Sequence, residues 1–245
     1  MRTVLLFALG LAAYAQPQFE IATLKRSPPP EGDRININLG NVRNGMLTFA
    51  NASLSDCLKF AYELASDYQL SGPDWIKSKE IRFDIVAQVP PEMPREQMLL
   101  RLRSLLAERL KVAAHHEQRE QPYLALTIAK NGPKLHEVQP ARTGSNGLSI
   151  LGRIAGTQMQ MRTLALLISR FERQTVLDQT GLPGVYDIKL EWTSDLNRPP
   201  QPDDAPPGPS IFTAVQEQLG LRLESRKGPV DVLVVDHAEQ ITAEN

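Results

Sequence analysis

One short pattern, Glu-x-Arg-x-x-Pro, occurs in both halves of the chain, as Glu117-Gln118-Arg119 with Pro122 and as Glu224-Ser225-Arg226 with Pro229. It does not recur alone. Asn51-Ala52-Ser53-Leu54 corresponds to Gln158-Met159-Gln160-Met161, and each tetrapeptide leads into an amphipathic stripe. Phe83-Asp84-Ile85 corresponds to Tyr186-Asp187-Ile188, and each follows a Gly/Pro turn. Matching blocks in matching order indicate one supersecondary unit built twice, with each copy burying its apolar faces in a shared core. The fold class expected is α+β, with two tandem strand-helix-strand-helix-hairpin repeats. They form an antiparallel or mixed sheet with helices packed on one face.

Hydrophobic periodicity assigns the elements of each unit. In the first half, Phe19–Leu24, Ile35–Leu39, Met46–Ala50 and Phe83–Ala87 read as strands. Ser53 and Asp56 make a short capping box ahead of a helix striped by Leu54, Cys57, Leu58, Ala61 and Leu64. Pro94 opens a second helix, with Met98, Leu99, Leu102, Leu105, Leu106 and Leu110 on one face. His115–Glu120 and Tyr123–Ala129 are expected to form a hairpin turning near Gln121-Pro122.

The second half repeats the plan. Arg153–Gln158 and Tyr186–Leu190 are strands, and Met161, Leu164, Ala165, Ile168 and Phe171 stripe a helix. Ser210 caps a last helix carrying Ile211, Val215 and Leu219, and Gly220 stops it. Leu221–Arg226 and Val230–Val235 then read as a hairpin turning at Lys227-Gly228-Pro229.

The boundaries follow. Arg2, the apolar run Val4–Ala13 and the small-x-small sequence Ala13-Tyr14-Ala15 read as a secretory leader over 1–15. Ten apolar residues are too few to span a bilayer. The first repeat occupies 16–138 and the second 148–245, separated by the small and polar segment Gln139–Gly147. Six of the seventeen residues in 193–209 are proline, which marks an extended loop without periodicity. Secreted or periplasmic localisation is therefore expected. The formal charge of −1 offers no field for nucleic acid.

Chemistry-bearing motifs give way to structural readings. His115-His116-Glu117-Gln118-Arg119-Glu120 has Glu where a zinc peptidase would need its second histidine, and it lies on a strand. Because Glu117 and Arg119 return as Glu224 and Arg226, cross-strand charge pairing explains them. Asp84 and Asp187 are expected to bond turns or rims rather than serve as a glycosidase pair. Gly144-Ser145-Asn146-Gly147 is linker chemistry, with no G-x-S-x-G nucleophile motif. The lone Cys57 lies on an apolar stripe and should be an inert thiol. Trp75 and Trp192 are expected to pack in the core or a lid, with a ligand-facing role as the alternative. No catalytic, cofactor-binding or metal residue is assigned.

Several blocks together resemble an uncharacterised soil-associated family of exported bacterial proteins expanded in acidobacteria, a domain of unknown function. They are Phe19-Glu20-Ile21-Ala22, Ser71-Gly72-Pro73-Asp74-Trp75, Arg82-Phe83-Asp84-Ile85, Arg119-Glu120-Gln121-Pro122-Tyr123, Asn131-Gly132-Pro133-Lys134-Leu135, Asp178-Gln179-Thr180-Gly181-Leu182 and Leu219–Val235. Fusion of some members to antibiotic-sensor-type membrane peptidase domains implies an extracytoplasmic sensing or binding module. The functional expectation is a non-enzymatic binding or protein-interaction module with a protein or cell-envelope partner and no cofactor. The alternative is an extracytoplasmic hydrolase with an unrecognised site.

Overall fold

A computed structural model describes residues 17–29, 36–139, 147–193 and 208–240. The leader over 1–15, the Gly144–Asn146 part of the linker motif and positions 194–207 of the proline-rich stretch lie outside the described residues. The first half runs β1 (Ala22–Arg26), β2 (Asn38–Arg43), β3 (Met46–Ala52), α1 (Leu54–Ala61), β4 (Leu70–Ser71), β5 (Phe83–Gln88), α2 (Arg95–Leu110) and β6 (Ala113–Ile128). The second runs β7 (His136–Val138), β8 (Gly147–Ile150), β9 (Arg153–Gln160), α3 (Met161–Glu172), β10 (Val176–Asp178), β11 (Val185–Glu191), α4 (Ile211–Leu219) and β12 (Leu221–His237). The fold is α+β. Three four-stranded sheets have the orders β1-β5-β3-β2, β10-β6-β12-β4 and β7-β11-β9-β8. The outer two sheets are antiparallel, while the middle one adds two parallel pairs to an antiparallel ribbon.

The two expected hairpins do not form. β6 and β12 each run straight on and pair with one another, from Leu221 opposite Ile128 to His237 opposite Ala113. Gln121 and Gly228 meet near the middle of this ribbon. Proline normally ends such a strand because it has no N–H for the ladder. Here that N–H is not needed. The Leu124 amide donates outward to the Thr175 carbonyl at 2.8 Å. Pro122, two residues earlier, therefore faces the same outer side. Pro229 is placed likewise, since the Asp231 carbonyl two residues on accepts outward from Gln69 Nε2 at 3.1 Å.

The crossing ribbon decides where the cores sit. One core gathers Leu47, Phe49, Leu58, Phe83, Ile85, Leu102 and Leu106 of the first half with Leu233 and Val235 of β12. The other gathers Ile154, Met161, Leu164, Ile168, Ile188, Ile211 and Val215 with Leu124 and Leu126 of β6. Each half thus lends the end of its last strand to the other half's interior. A fully buried Leu or Val contributes roughly 1.5–3 kcal/mol, so the two cores stabilise each other.

Local chemistry starts and stops the helices. Ser53 Oγ accepts the Asp56 amide at 3.2 Å, and the Ser53 amide donates to Asp56 Oδ2 at 3.1 Å, closing the capping box ahead of α1. Ser210 Oγ accepts the Thr213 amide at 3.2 Å at the start of α4. Gln160, before α3, makes no side-chain cap. Gly220 ends α4 with φ +64°, and a Cβ there would lie 2.3 Å from the Gly132 carbonyl oxygen, so only glycine fits.

Candidate binding site at the seam between the halves

The residues singled out in the sequence fall at separate places. Successive strand residues face opposite sides, so His115 and His116 part company. His115 Nδ1 lies 2.8 Å from Asp236 Oδ2, and His116 Nδ1 lies 2.7 Å from Asp231 Oδ2. Among the described residues no group of three or more His, Cys, Asp or Glu is arranged to hold a metal ion.

Glu117 and Arg119 do pair, but along their own strand rather than across the ribbon, with Arg119 Nη2 donating to Glu117 Oε2 at 2.8 Å. The same holds for Arg226 and Glu224 at 2.6 Å. The residues directly opposite are small or apolar. Val232 and Val230 face the first pair, and Ala125 and Tyr123 face the second. The Arg119 hydrogen bond holds the Glu117 carboxyl below its usual pKa, and Arg226 does the same for Glu224.

Asp84 and Asp187 hold the backbone. Asn51 and Gln158 adopt left-handed conformations, with φ +51° and +54°. The Asn51 amide donates to Asp84 Oδ1 at 2.9 Å and the Gln158 amide to Asp187 Oδ1 at 3.2 Å. The ladders slip at these places, so each aspartate takes up an amide turned out of the regular β pattern. Cys57 is fully buried; desolvation chiefly, with the Asp56 charge, pushes its thiol far above the ordinary range, which makes it inert. Trp192 is buried against Phe171 with ring centroids 5.1 Å apart, and Trp75 packs partly buried on the first core.

The concave surface lies elsewhere, where α1 and the turn after it meet α3 and β10. Ser66 Oγ and Thr175 Oγ1 lie 2.6 Å apart and join the halves there. Two open grooves flank the segment Leu64-Ala65, which lines both. The inner groove, about 490 Å³, carries Arg162 against the carboxylates Glu63, Asp178 and Asp231. Glu63 is engaged from both halves, by Arg95 Nε at 3.1 Å and Arg162 Nη2 at 3.7 Å.

The outer groove, about 660 Å³, carries Lys59, Lys79, Arg170 and Arg173 against Asp56 and Asp67. Lys59 Nζ occupies both of those carboxylates, at 3.2 Å from Asp56 and 2.9 Å from Asp67. Burial raises the Asp67 pKa, but the Lys59 hydrogen bond and charge, with Lys77 and Ser55, outweigh it and hold it below the usual value. Arg170 is lowered, first by desolvation and then by Arg95, with Asp56 opposing. Among the described residues the side chains of Lys79, Arg170 and Arg173 make no hydrogen bond or ion pair. Sequence reasoning missed this set. Arg170 and Arg173 look like an ordinary solvated helix end, and only the tertiary fold brings them to Tyr68 and Phe60.

The fold defines an α+β protein with open surface grooves and, among its described residues, no helix long and apolar enough to cross a membrane. Residues 55–238 match the family described as protein of unknown function, DUF3738, and the chain belongs to that family. No curated protein and no solved structure matches it.

Proposed function

We propose that this is an exported, non-enzymatic binding module whose ligand or partner sits in the seam between two duplicated lobes. The carrying observation is the outer groove, which is walled by both halves and holds three basic side chains, Lys79, Arg170 and Arg173, that are in no hydrogen bond or ion pair among the described residues. Duplication is supported by the two outer sheets, whose strands take the same order relative to their place in each half. It is also supported by the matched aspartate-to-amide bonds and Glu-x-Arg pairs. The repeats at 16–138 and 148–245, each with helices over one sheet face, are part of this reading. So is an origin among soil-associated, acidobacterial-type exported proteins, with a secreted or periplasmic protein facing a cell-envelope partner.

Two measurements test it. Intact mass of exported protein should begin at Gln16, and retention of Met1 defeats the export reading. Mature protein incubated with an extract of its own extracellular medium should retain specific compounds unchanged, as read by mass spectrometry after gel filtration. Ala65→Trp, which fills the ridge common to both grooves, should abolish that retention. Depletion of a compound with appearance of its hydrolysis product selects the hydrolase instead. Neither retention nor turnover rejects the binding module.

A further inference from the structure

We propose that the outer groove is a site for a small organic oxyanion with a flat apolar body, such as an aromatic carboxylate, sulfonate or phosphate ester. This deepens the binding-module reading and rests on it.

Size comes first. The groove's 660 Å³ lies within the range of about 300–1,000 Å³ usual for small-molecule sites. Charge comes second. Four basic side chains line it against two carboxylates. Those two are both held by Lys59, so Lys79, Arg170 and Arg173 are left facing solvent without a hydrogen bond or ion pair. Arg170 belongs to the last turn of α3 and Arg173 caps its C-terminal end, where the helix dipole favours cations. Helix-end stabilisation accounts for either arginine alone. It does not account for Lys79, which comes from the distant segment after the Asp74–Lys77 turn and lines the same groove.

A guanidinium is a planar fork of donors that matches an oxyanion with two parallel hydrogen bonds, and two of them can share one anionic group. Arg170 also has reason to accept a negative charge. Water reaches it, yet the protein around it and the nearby Arg95 disfavour its charged form. A bound anion would counter the Arg95 charge and supply the guanidinium with hydrogen-bond partners.

The third observation concerns the apolar body. Phe60, Leu39 and Tyr68 line the same groove. Tyr68 is 66% exposed and Leu39 47% exposed, so both present apolar surface that the fold itself does not cover. The exposed Tyr68 ring and the aliphatic Leu39 suit a flat ring, and the arginines suit an oxyanion attached to it. The wall between is already ordered, by Lys59 across Asp56 and Asp67 and by Ser66 on Thr175. Little ordering is needed when a ligand arrives.

The test uses mature full-length protein and two fluorescent probes of nearly the same shape. 1-Anilinonaphthalene-8-sulfonate carries the anion, and N-phenyl-1-naphthylamine lacks it. The sulfonate should bind saturably at one site, at least tenfold more tightly than the neutral amine. Arg170→Gln with Arg173→Gln should weaken the sulfonate at least tenfold and leave the amine unchanged. Arg153→Gln, on the far sheet, should change neither. Equal affinity of wild-type protein for both probes overturns the proposal without reference to any variant's folding. So does unchanged sulfonate affinity in a double variant with wild-type circular dichroism. If the sulfonate fails while extract compounds are still retained and lost on Ala65→Trp, the anion assignment falls and the binding module stands. If nothing is retained either, both fall.

Discussion

The two halves agree in the backbone that leads into their short helices and differ in the side chains that meet solvent at the seam. In each, an aspartate on a strand takes up the amide of a left-handed residue just before the short helix. In each, a left-handed residue follows that helix as well, and there the likeness ends. It is Glu63 in the first half, on the acidic inner groove, and Arg173 in the second, on the basic outer groove. The far sheet faces differ too. Thr23, Val86 and Thr48 lie in one row across the first sheet. The corresponding sheet of the second half carries Arg153, Lys189 and Glu191 in ion pairs of 3.5 and 3.8 Å. Backbone geometry tolerates one solution there, and both halves use it. Surface charge costs little to change, so the halves differ in it, and the grooves lie where they differ.

The largest expected effect tests whether the halves are separable at all. Leu126 is fully buried in the second core although it belongs to the first half. Leu126→Ala should destabilise the protein by about 2–5 kcal/mol. Single-tryptophan variants retaining either Trp75 or Trp192 report on one core each. Both should show the same shifted urea midpoint, because the crossing ribbon couples the cores. A shift seen by Trp192 alone means two independent lobes.

The aspartates sharpen the comparison next. Asp84 is half-buried and also accepts Ser27 Oγ at 2.6 Å, whereas Asp187 is exposed and has the one longer bond. Asp84→Ala should cost about 1–3 kcal/mol and Asp187→Ala less than about 1 kcal/mol. Equal losses by chemical denaturation would show that burial is not what separates them.

Much of this was legible in advance because it is local. The four helices follow from apolar stripes, and Ser53, Ser210 and Gly220 act at the ends they mark. The strands at Met46, Phe83, Arg153 and Val185 follow from alternation. The ribbon was misread because Pro122 and Gly228-Pro229 are turn signals whose meaning depends on which neighbour lies alongside. β4 and β10, of two and three residues, are too short for any period and exist through parallel pairing with β12 and β6. The grooves were illegible for the same reason, since Lys79 and Arg173 meet only through the tertiary fold.

A cap can be moved from one half to the other. Ser53→Ala removes the α1 capping box and should cost about 1 kcal/mol. Gln160→Ser supplies the missing oxygen ahead of α3, where Gln160 already has the extended backbone of an N-cap. It should stabilise by roughly half that amount. Thermal melts of the two variants should move in opposite directions. A loss on Gln160→Ser would mean that the second half starts its helix differently.

The smallest effect concerns Asp67, a first-half carboxylate on the outer groove. Its pKa is held below the usual value because Lys59 outweighs burial. A group depressed in the folded state stabilises the protein above its unfolded pKa, near 3.9, and that contribution disappears as pH falls through the folded pKa. Asp67→Asn should therefore lower the urea midpoint at pH 7. The difference from wild type should narrow below about pH 4 and vanish by the pH at which wild-type Asp67 is itself protonated. The side chain is largely exposed, so solvent screening keeps the loss at pH 7 small, under about 1 kcal/mol. High salt should reduce it further. The same substitution releases Lys59 from one of its two partners and makes the outer groove more positive, so the anionic probe should bind more tightly even as stability falls. Tighter sulfonate binding with a lower midpoint separates the groove's electrostatics from its scaffold. A midpoint difference constant from pH 7 to pH 2 would show that the Lys59 pair contributes nothing and that Asp67 acts by packing alone.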